Sequence, residues 1–438
     1  MKGLLLYSLA LLYALPIPAD PPLSVEETVR LAREQSPKIR AARFEAQAAQ
    51  TQTDREKPVA HPTLTAQAQG TLQGPRVTFP RGSVGDATVL PERFGKIELN
   101  LEQLLYRPGL SAARERYSAQ SRANQWESLR AENEAIREAR RAFFDLLTAL
   151  EMAEVAREGE KLARQHLEQT KQMLESGTAP ERDVRAAEAD LAEAEQGALK
   201  AENGIALARG NLNRILGRDP LTPLEVVGPE SLPVVPDSPT AAMERAMTLR
   251  PEIHLLEENL RAARAGIALA RIQTAPALSV RATAAAQPQT AFTDSNYFAA
   301  SLVMTWNLLD GGKARADVQE AQARLQQIEA LAVEARLGVL LEVEKAWRDM
   351  REAQARIETA QRQVASAEKA LEISLLRYEL RQAIQLEVSG ALFQLLKARA
   401  NRAQAVLDLH LAAAQLRYAT GEDVALPTRN TVTERRHK

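Results

Sequence analysis

The sequence contains no cysteine. That excludes disulfides, thiol nucleophiles, thiolate metal sites and a lipid anchor on an N-terminal cysteine. Aromatic residues are scarce at 4%, while charged residues reach 26%, a balance that suits extended helices better than ordinary globular cores. Beyond the first residues no segment offers the run of about 18 apolar residues that a membrane-spanning helix requires. Charge of one sign is also lacking: the formal net charge is −1. A nucleic-acid partner needs a clustered basic face, so none is expected. The five histidines, His61, His166, His254, His410 and His437, are scattered and lack the spacing of a zinc or acid–base site. Gly311-Gly312 marks a strand-to-helix turn without a phosphate-binding pattern. The sequence therefore predicts no catalytic residues, no metal site and no cofactor.

What is present is stated twice. Pro37 and Pro251, His61-Pro62 and Ala275-Pro276, and Leu64 and Leu278 keep one offset. Asp145 and Asp349, Val184 and Val388, Leu191 and Leu395, and Gly217 and Gly421 keep another. The two offsets differ by about ten residues, as expected for a duplicated unit with one variable loop. Each copy repeats an order of helix, two alternating strands, very long helix, turn and shorter helix.

The N-terminus predicts an export signal over residues 1–19. Met1-Lys2 is the positive start, Gly3 to Leu15 an apolar stretch too short to span, and Pro16 to Ala19 the helix-breaking end, with cleavage expected after Ala19. Thereafter the expected divisions are a first repeat over 20–216, a Pro-rich linker over 217–239, a second repeat over 240–421 and a polar tail over 422–438.

Membrane insertion, if it occurs, must use strands. Leu64, Ala66, Ala68, Gly70 and Leu72 alternate with Thr63, Thr65, Gln67, Gln69 and Thr71, and Ile97, Leu99 and Leu101 alternate with polar neighbours. In the second repeat Leu278, Val280 and Ala282, then Phe298, Ala300, Leu302, Met304 and Trp306, do the same. Strands of about ten residues have the length a tilted bilayer crossing needs. A soluble two-layer domain also uses such strands, but it needs a second apolar layer that these helices do not supply. Four strands cannot close a barrel, so several copies must share one. Tyr106, Trp306, Tyr297, Phe298 and Phe94 fall near strand ends, where an interfacial aromatic girdle or core packing would place them.

Between Ser111 and Glu175, and again between Ala314 and Tyr378, there is no proline and one glycine, Gly159 and Gly338 respectively. Each stretch predicts a helix of about 100 Å. Ala139, Ala142, Phe143, Leu146, Leu150 and Ala153 form a narrow stripe suited to helix-on-helix packing. Gly177-Thr178-Ala179-Pro180 ends the first long helix with a C-terminal glycine and a proline for the next helix start. Arg381-Gln382-Ala383-Ile384 stands at the same register without either breaker. Shorter helices are expected over Asp183 to Leu216 and Glu387 to Tyr418, antiparallel to the long ones. Leu23-Ser24-Val25-Glu26-Glu27 reads as a capping box, and Ser238-Pro239 stands at the same register as an N-cap followed by proline.

The duplicated order, together with Gly177, Asp183-Val184 and its partner Glu387-Val388, resembles the TolC-like outer-membrane efflux proteins from Ser24 to Gly421. The resemblance implies a mainly α fold with a small β part: a homotrimer whose long antiparallel helices form a periplasmic α-helical barrel, each subunit giving four strands to a shared transmembrane β-barrel in outer-membrane lipid. It implies a passive exit duct of a tripartite efflux or type I secretion system, served by a periplasmic adaptor (membrane fusion) protein and an inner-membrane pump. Carried over to this chain, Gly177 and Asp183 fall in the first periplasmic tip turn, and Arg381 and Glu387 in the second. Acidic side chains repeated by threefold symmetry would form a ring, and basic neighbours such as Arg381 could hold it shut. Arg381 stands where the family has glycine, and Gly390 where some members carry a further acidic residue. The alternative is a soluble periplasmic coiled-coil adaptor or scaffold, which leaves the alternating strands without a purpose. Within the duct reading, no Met or His cluster argues for a metal cargo.

Overall fold

The computed structural model of the chain describes residues 22–55, 61–80, 86–290 and 294–424. The expected export signal and the tail beyond residue 424 lie outside the described residues. The first repeat contains α1 (Val25–Gln35), α2 (Pro37–Arg55), β1 (Thr63–Leu72), β2 (Val77–Pro80), β3 (Asp86–Leu90), β4 (Arg93–Tyr106), α3 (Leu110–Glu175) and α4 (Glu181–Ile215). The second contains α5 (Thr240–Leu249), α6 (Pro251–Ile272), β5 (Ala277–Ala286), β6 (Asn296–Thr305), α7 (Lys313–Glu379) and α8 (Gln385–Thr420). The small β2–β3 pair has no counterpart among the described residues of the second repeat and occupies the loop whose length varies.

Two expectations need correction. The single helix expected to open each repeat is a pair, α1–α2 and α5–α6, broken before Pro37 and Pro251. Proline at a helix start disfavours helical backbone in the preceding residue. Ser36 (ψ 124°) is accordingly non-helical, and Arg250 (ψ 126°) extended. The last strand ends at Thr305, before Trp306. The first cap is as expected: Ser24 Oγ accepts from Glu27 N at 3.2 Å. At the second, Pro239 and not Ser238 is the N-cap and no side chain caps the helix; Ser238 Oγ instead accepts from Thr240 N at 3.2 Å, just ahead of the first turn.

The chain forms two compact units, each drawn from both repeats. Among the described residues, unit 1 comprises 22–37, 134–237 and 345–417. Its core is the stripe read from the sequence: Ala139, Ala142, Leu146 and Ala153 of α3 bury against Ile205 and Leu212 of α4 and Leu31 of α1. Small side chains let helix axes approach closely. At Gly159 a Cβ would stand 2.8 Å from Leu396 Cδ1 of α8, so the glycine records where two helices meet. The linker is bound to this unit. Leu23 and Val226 form a parallel bridge, Leu224 is buried, and Trp347 Nε1 donates to Pro236 O at 2.8 Å.

Unit 2 comprises the described residues within 38–133, 238–344 and 418–424, and contains an antiparallel sheet in the order β1-β4-β5-β6. In the same unit Arg250 is buried and bridges elements: its guanidinium donates to Glu252 Oε1 at 2.9 Å, pairs with Glu342 of α7 and reaches Ala419 O of α8 at 3.4 Å. A buried guanidinium is tolerable only with such complete pairing.

Candidate functional site: a two-faced sheet and paired helix turns

Strand register sorts the sheet into two chemically distinct faces. Leu64, Leu101, Ala282 and Ala300 stand in one row, and Ala66, Leu99, Ala284 and Phe298 in the next. Leu64 is 67% exposed, Phe298 73% and Leu302 65%. No layer of the described residues covers this apolar face, whereas a water-soluble sheet would bury it. The opposite face carries Thr63, Glu102, Arg281 and Ser301, then Thr65, Asn100 and Thr283. Its charges are paired across strands: Arg281 lies 3.4 Å from Glu102, and Lys96 pairs with Glu98, which also accepts from Tyr297 Oη at 3.3 Å. Thr283 Oγ1 donates to Asn100 Oδ1 at 2.7 Å. Tyr297 and Phe94 therefore lie on the polar face, not in an interfacial girdle. Tyr106 and Trp306, 57% and 54% exposed, stand at strand ends as that girdle requires. The outer strands β1 and β6 each have one edge without a strand partner among the described residues.

The helix turns between α3 and α4 and between α7 and α8 share one backbone geometry. In the first, Gly177 (φ +70°) donates to Leu174 O at 2.9 Å and Thr178 N to Met173 O at 2.7 Å. In the second, Arg381 (φ +57°) donates to Tyr378 O at 3.0 Å and Gln382 N to Arg377 O at 2.7 Å. Both are Schellman caps, so the absence of a sequence breaker does not weaken the second turn. A left-handed arginine costs about 1–2 kcal/mol relative to glycine. Arg377 helps offset this by donating to Gln382 O at 2.9 Å and pairing with Glu387 at 3.2 Å.

Among known proteins, the family model described as outer membrane efflux protein matches residues 28–218 and again 242–422. The chain belongs to the outer membrane efflux protein family. The fold is similar to that of the outer-membrane channel OprN, at 20% identity and TM-score 0.75 over 91% of this chain and 89% of that one. It is similar to CusC at 18% identity and TM-score 0.77, over 91% and 92%. For VceC from Vibrio cholerae the values are 19% and 0.74, over 91% and 96%. No curated protein sequence matches the chain. The protein is thus an outer-membrane efflux channel, a transport protein and not an enzyme.

In this efflux channel the four residues singled out from the sequence have different surroundings. Asp183 is buried; its Oδ2 accepts from Tyr378 Oη at 3.3 Å and its Oδ1 lies 3.2 Å from Arg182 Nε. Burial, with the Asp183 carboxylate adding to it, pushes the Tyr378 phenol pKa up, so the hydroxyl keeps its proton. Glu387 is half-exposed and held by Arg377 within its own turn. Arg381 is exposed, and its guanidinium has no ion pair among the described residues. Gly177 serves the backbone alone.

Sequence reading missed Tyr378 and a second buried link behind it. His166 Nε2 lies 2.7 Å from Gln385 Oε1, Gln385 Nε2 donates to Ser389 Oγ at 3.4 Å, and Ser389 pairs with Asp190. These contacts tie α3, α8 and α4 together beside the turns. A signal was available: aligning the repeats puts Tyr378 opposite Leu174, and Gln385 and Ser389 opposite Glu181 and Arg185. A hydroxyl in place of an apolar side chain, or a neutral polar group in place of a charge, marks a contact one copy alone can make.

Proposed function

We propose that three copies close one barrel and form a passive exit duct, with the helical part in the periplasm, joined there to an adaptor and an inner-membrane pump of a tripartite efflux or type I secretion assembly. The sheet carries this reading: an uncovered apolar face, a polar face with paired charges and two open edges. Two copies would give about eight strands, whose interior side chains fill, whereas three give twelve and leave a passage. Energy comes from the partner, because the chain contributes a wall and no reaction. The export signal and the repeat bounds 20–216 and 240–421 complete the proposal.

At the turns, Asp183, Glu387 and Arg381 take part in closure, with Tyr378 fixing Asp183 on its own chain and Arg381 directed to a neighbouring copy. The absence of cysteine makes the barrel directly testable. Single cysteines placed along β1 and along β6, for example Thr65→Cys with Ser301→Cys, should cross-link at one register into dimers and trimers and nothing larger. Monomers at every register would overturn the shared barrel.

A further inference from the structure

A concave groove of about 880 Å³ lies in unit 2, walled by the start of α3, by α6 and by the start of α7. Its floor is mainly apolar: Ala263, Gly266 and Ala270 of α6 line it together with the larger Leu269 and Ile272, and a Cβ at Gly266 would meet nothing within 4 Å. Around it stand Arg107, Arg114 and Arg116, none with a carboxylate partner among the described residues. Arg324 is satisfied by Glu320 at 2.5 Å, and Asp317 is the other acid of the lining. Four arginines against two carboxylates leave the groove positive, whereas Lys96 and Arg281 on the polar strand face are cancelled by Glu98 and Glu102. Ala277 also lines the groove and shares its strand face with Ser279, Arg281 and Thr283. The groove therefore opens on the polar side of the sheet.

We infer that this groove is a binding station for amphiphilic anions: solutes with a flat apolar body and one sulfonate, sulfate or carboxylate. The volume is that of a small-molecule site, which combines apolar walls with a few polar groups. Guanidinium groups without partners supply the forked donors that such oxyanions accept. The apolar body lies on the α6 floor, where small side chains leave room, and the anionic head meets the arginines. That this site faces the conducting path rests on the channel reading above; binding to it does not. The station concentrates anionic cargo below the strands, at a point where the wall changes from neutral to positive.

Naphthalene-1-sulfonate is the probe, in equilibrium dialysis against the full chain in nanodiscs of zwitterionic lipid, with uptake by empty discs subtracted. Saturable binding of one probe per chain is expected. The double variant Arg107→Gln/Arg114→Gln should weaken it at least about tenfold, the loss of two charge-assisted contacts. Ala263→Trp, which fills the floor and keeps the arginines, should abolish it. Arg362→Gln, in unit 1, should leave it unchanged. Uptake equal to that of empty discs, affinity indifferent to the arginine pair, or equal binding of uncharged naphthalene-1-methanol would each overturn the station. Conductance of the same preparations reports separately on the channel, so a chain that conducts without binding the sulfonate sinks this inference alone.

Discussion

Replacing Tyr378 by Phe removes one hydroxyl from a site where the residue is 4% exposed and its partner Asp183 is 8% exposed. A buried carboxylate that loses a hydrogen bond costs about 1.5–3 kcal/mol. The 3.3 Å separation is long for an O–H donor, which places this bond near about 1.5 kcal/mol. Arg182 compensates little, because its side chain is 78% exposed and the pair is screened by water. If the link exists only in the closed turn, its loss multiplies the open-to-closed ratio about tenfold per chain. Three chains opening together would give about a thousandfold. Single-channel recording in planar bilayers reads this as open probability, and Asp183→Ala should raise it similarly. Thermal unfolding of the two single variants and the double variant should be non-additive by about 1 kcal/mol or more, as expected for partners in contact. Wild-type open probability in Tyr378→Phe, together with additive stabilities, would refute both the bond and its role in closure.

Other consequences are as direct. Gly217 (φ +75°) stands where a Cβ would meet Gln35 O at 2.9 Å, and Gly421 (φ +74°) where it would meet Leu249 O at 3.1 Å. Alanine at either should lower stability by about 2–4 kcal/mol, from left-handed strain plus a forced backbone shift, read as a lowered Tm in detergent. Arg381→Gly should raise the stability of the dissociated single chain by about 1 kcal/mol by relieving the same strain at the second turn, read as a higher Tm of the monomer, while weakening closure between copies. His410 stacks on Phe144 at 5.3 Å, and burial pushes its pKa down. A base with a depressed folded pKa contributes stability that is present above its unfolded value of about 6.5. Tm should therefore fall as pH drops below about 6.5, and His410→Leu should remove that component.

The architecture was legible because the chain repeats itself. Pro37 and Pro251 mark a break that two copies make visible, although the expectation of one helix there underestimated what a proline at a helix start imposes. Strand alternation from Leu64 to Leu72 fixed the faces correctly, since a period of two leaves no choice of side once one face is apolar. The second turn was harder to read: Arg381 adopts a glycine conformation with no glycine present, held by Arg377 from the previous helical turn. Propensity describes single residues and does not register such support. The Tyr378–Asp183 bond joins residues 195 positions apart, and the His166–Gln385 contact spans 219. Neither leaves a periodic trace, and only the mismatch between repeats pointed to them.

In the proposed duct one chain supplies a third of a membrane barrel. Native mass measurement of the protein extracted by detergent from purified outer membranes counts the copies. Three copies per particle are predicted, resistant to dilution because each sheet edge is paired. A single copy or a dimer, or a protein recovered in the soluble fraction without detergent, would contradict the shared barrel and the exit duct built on it.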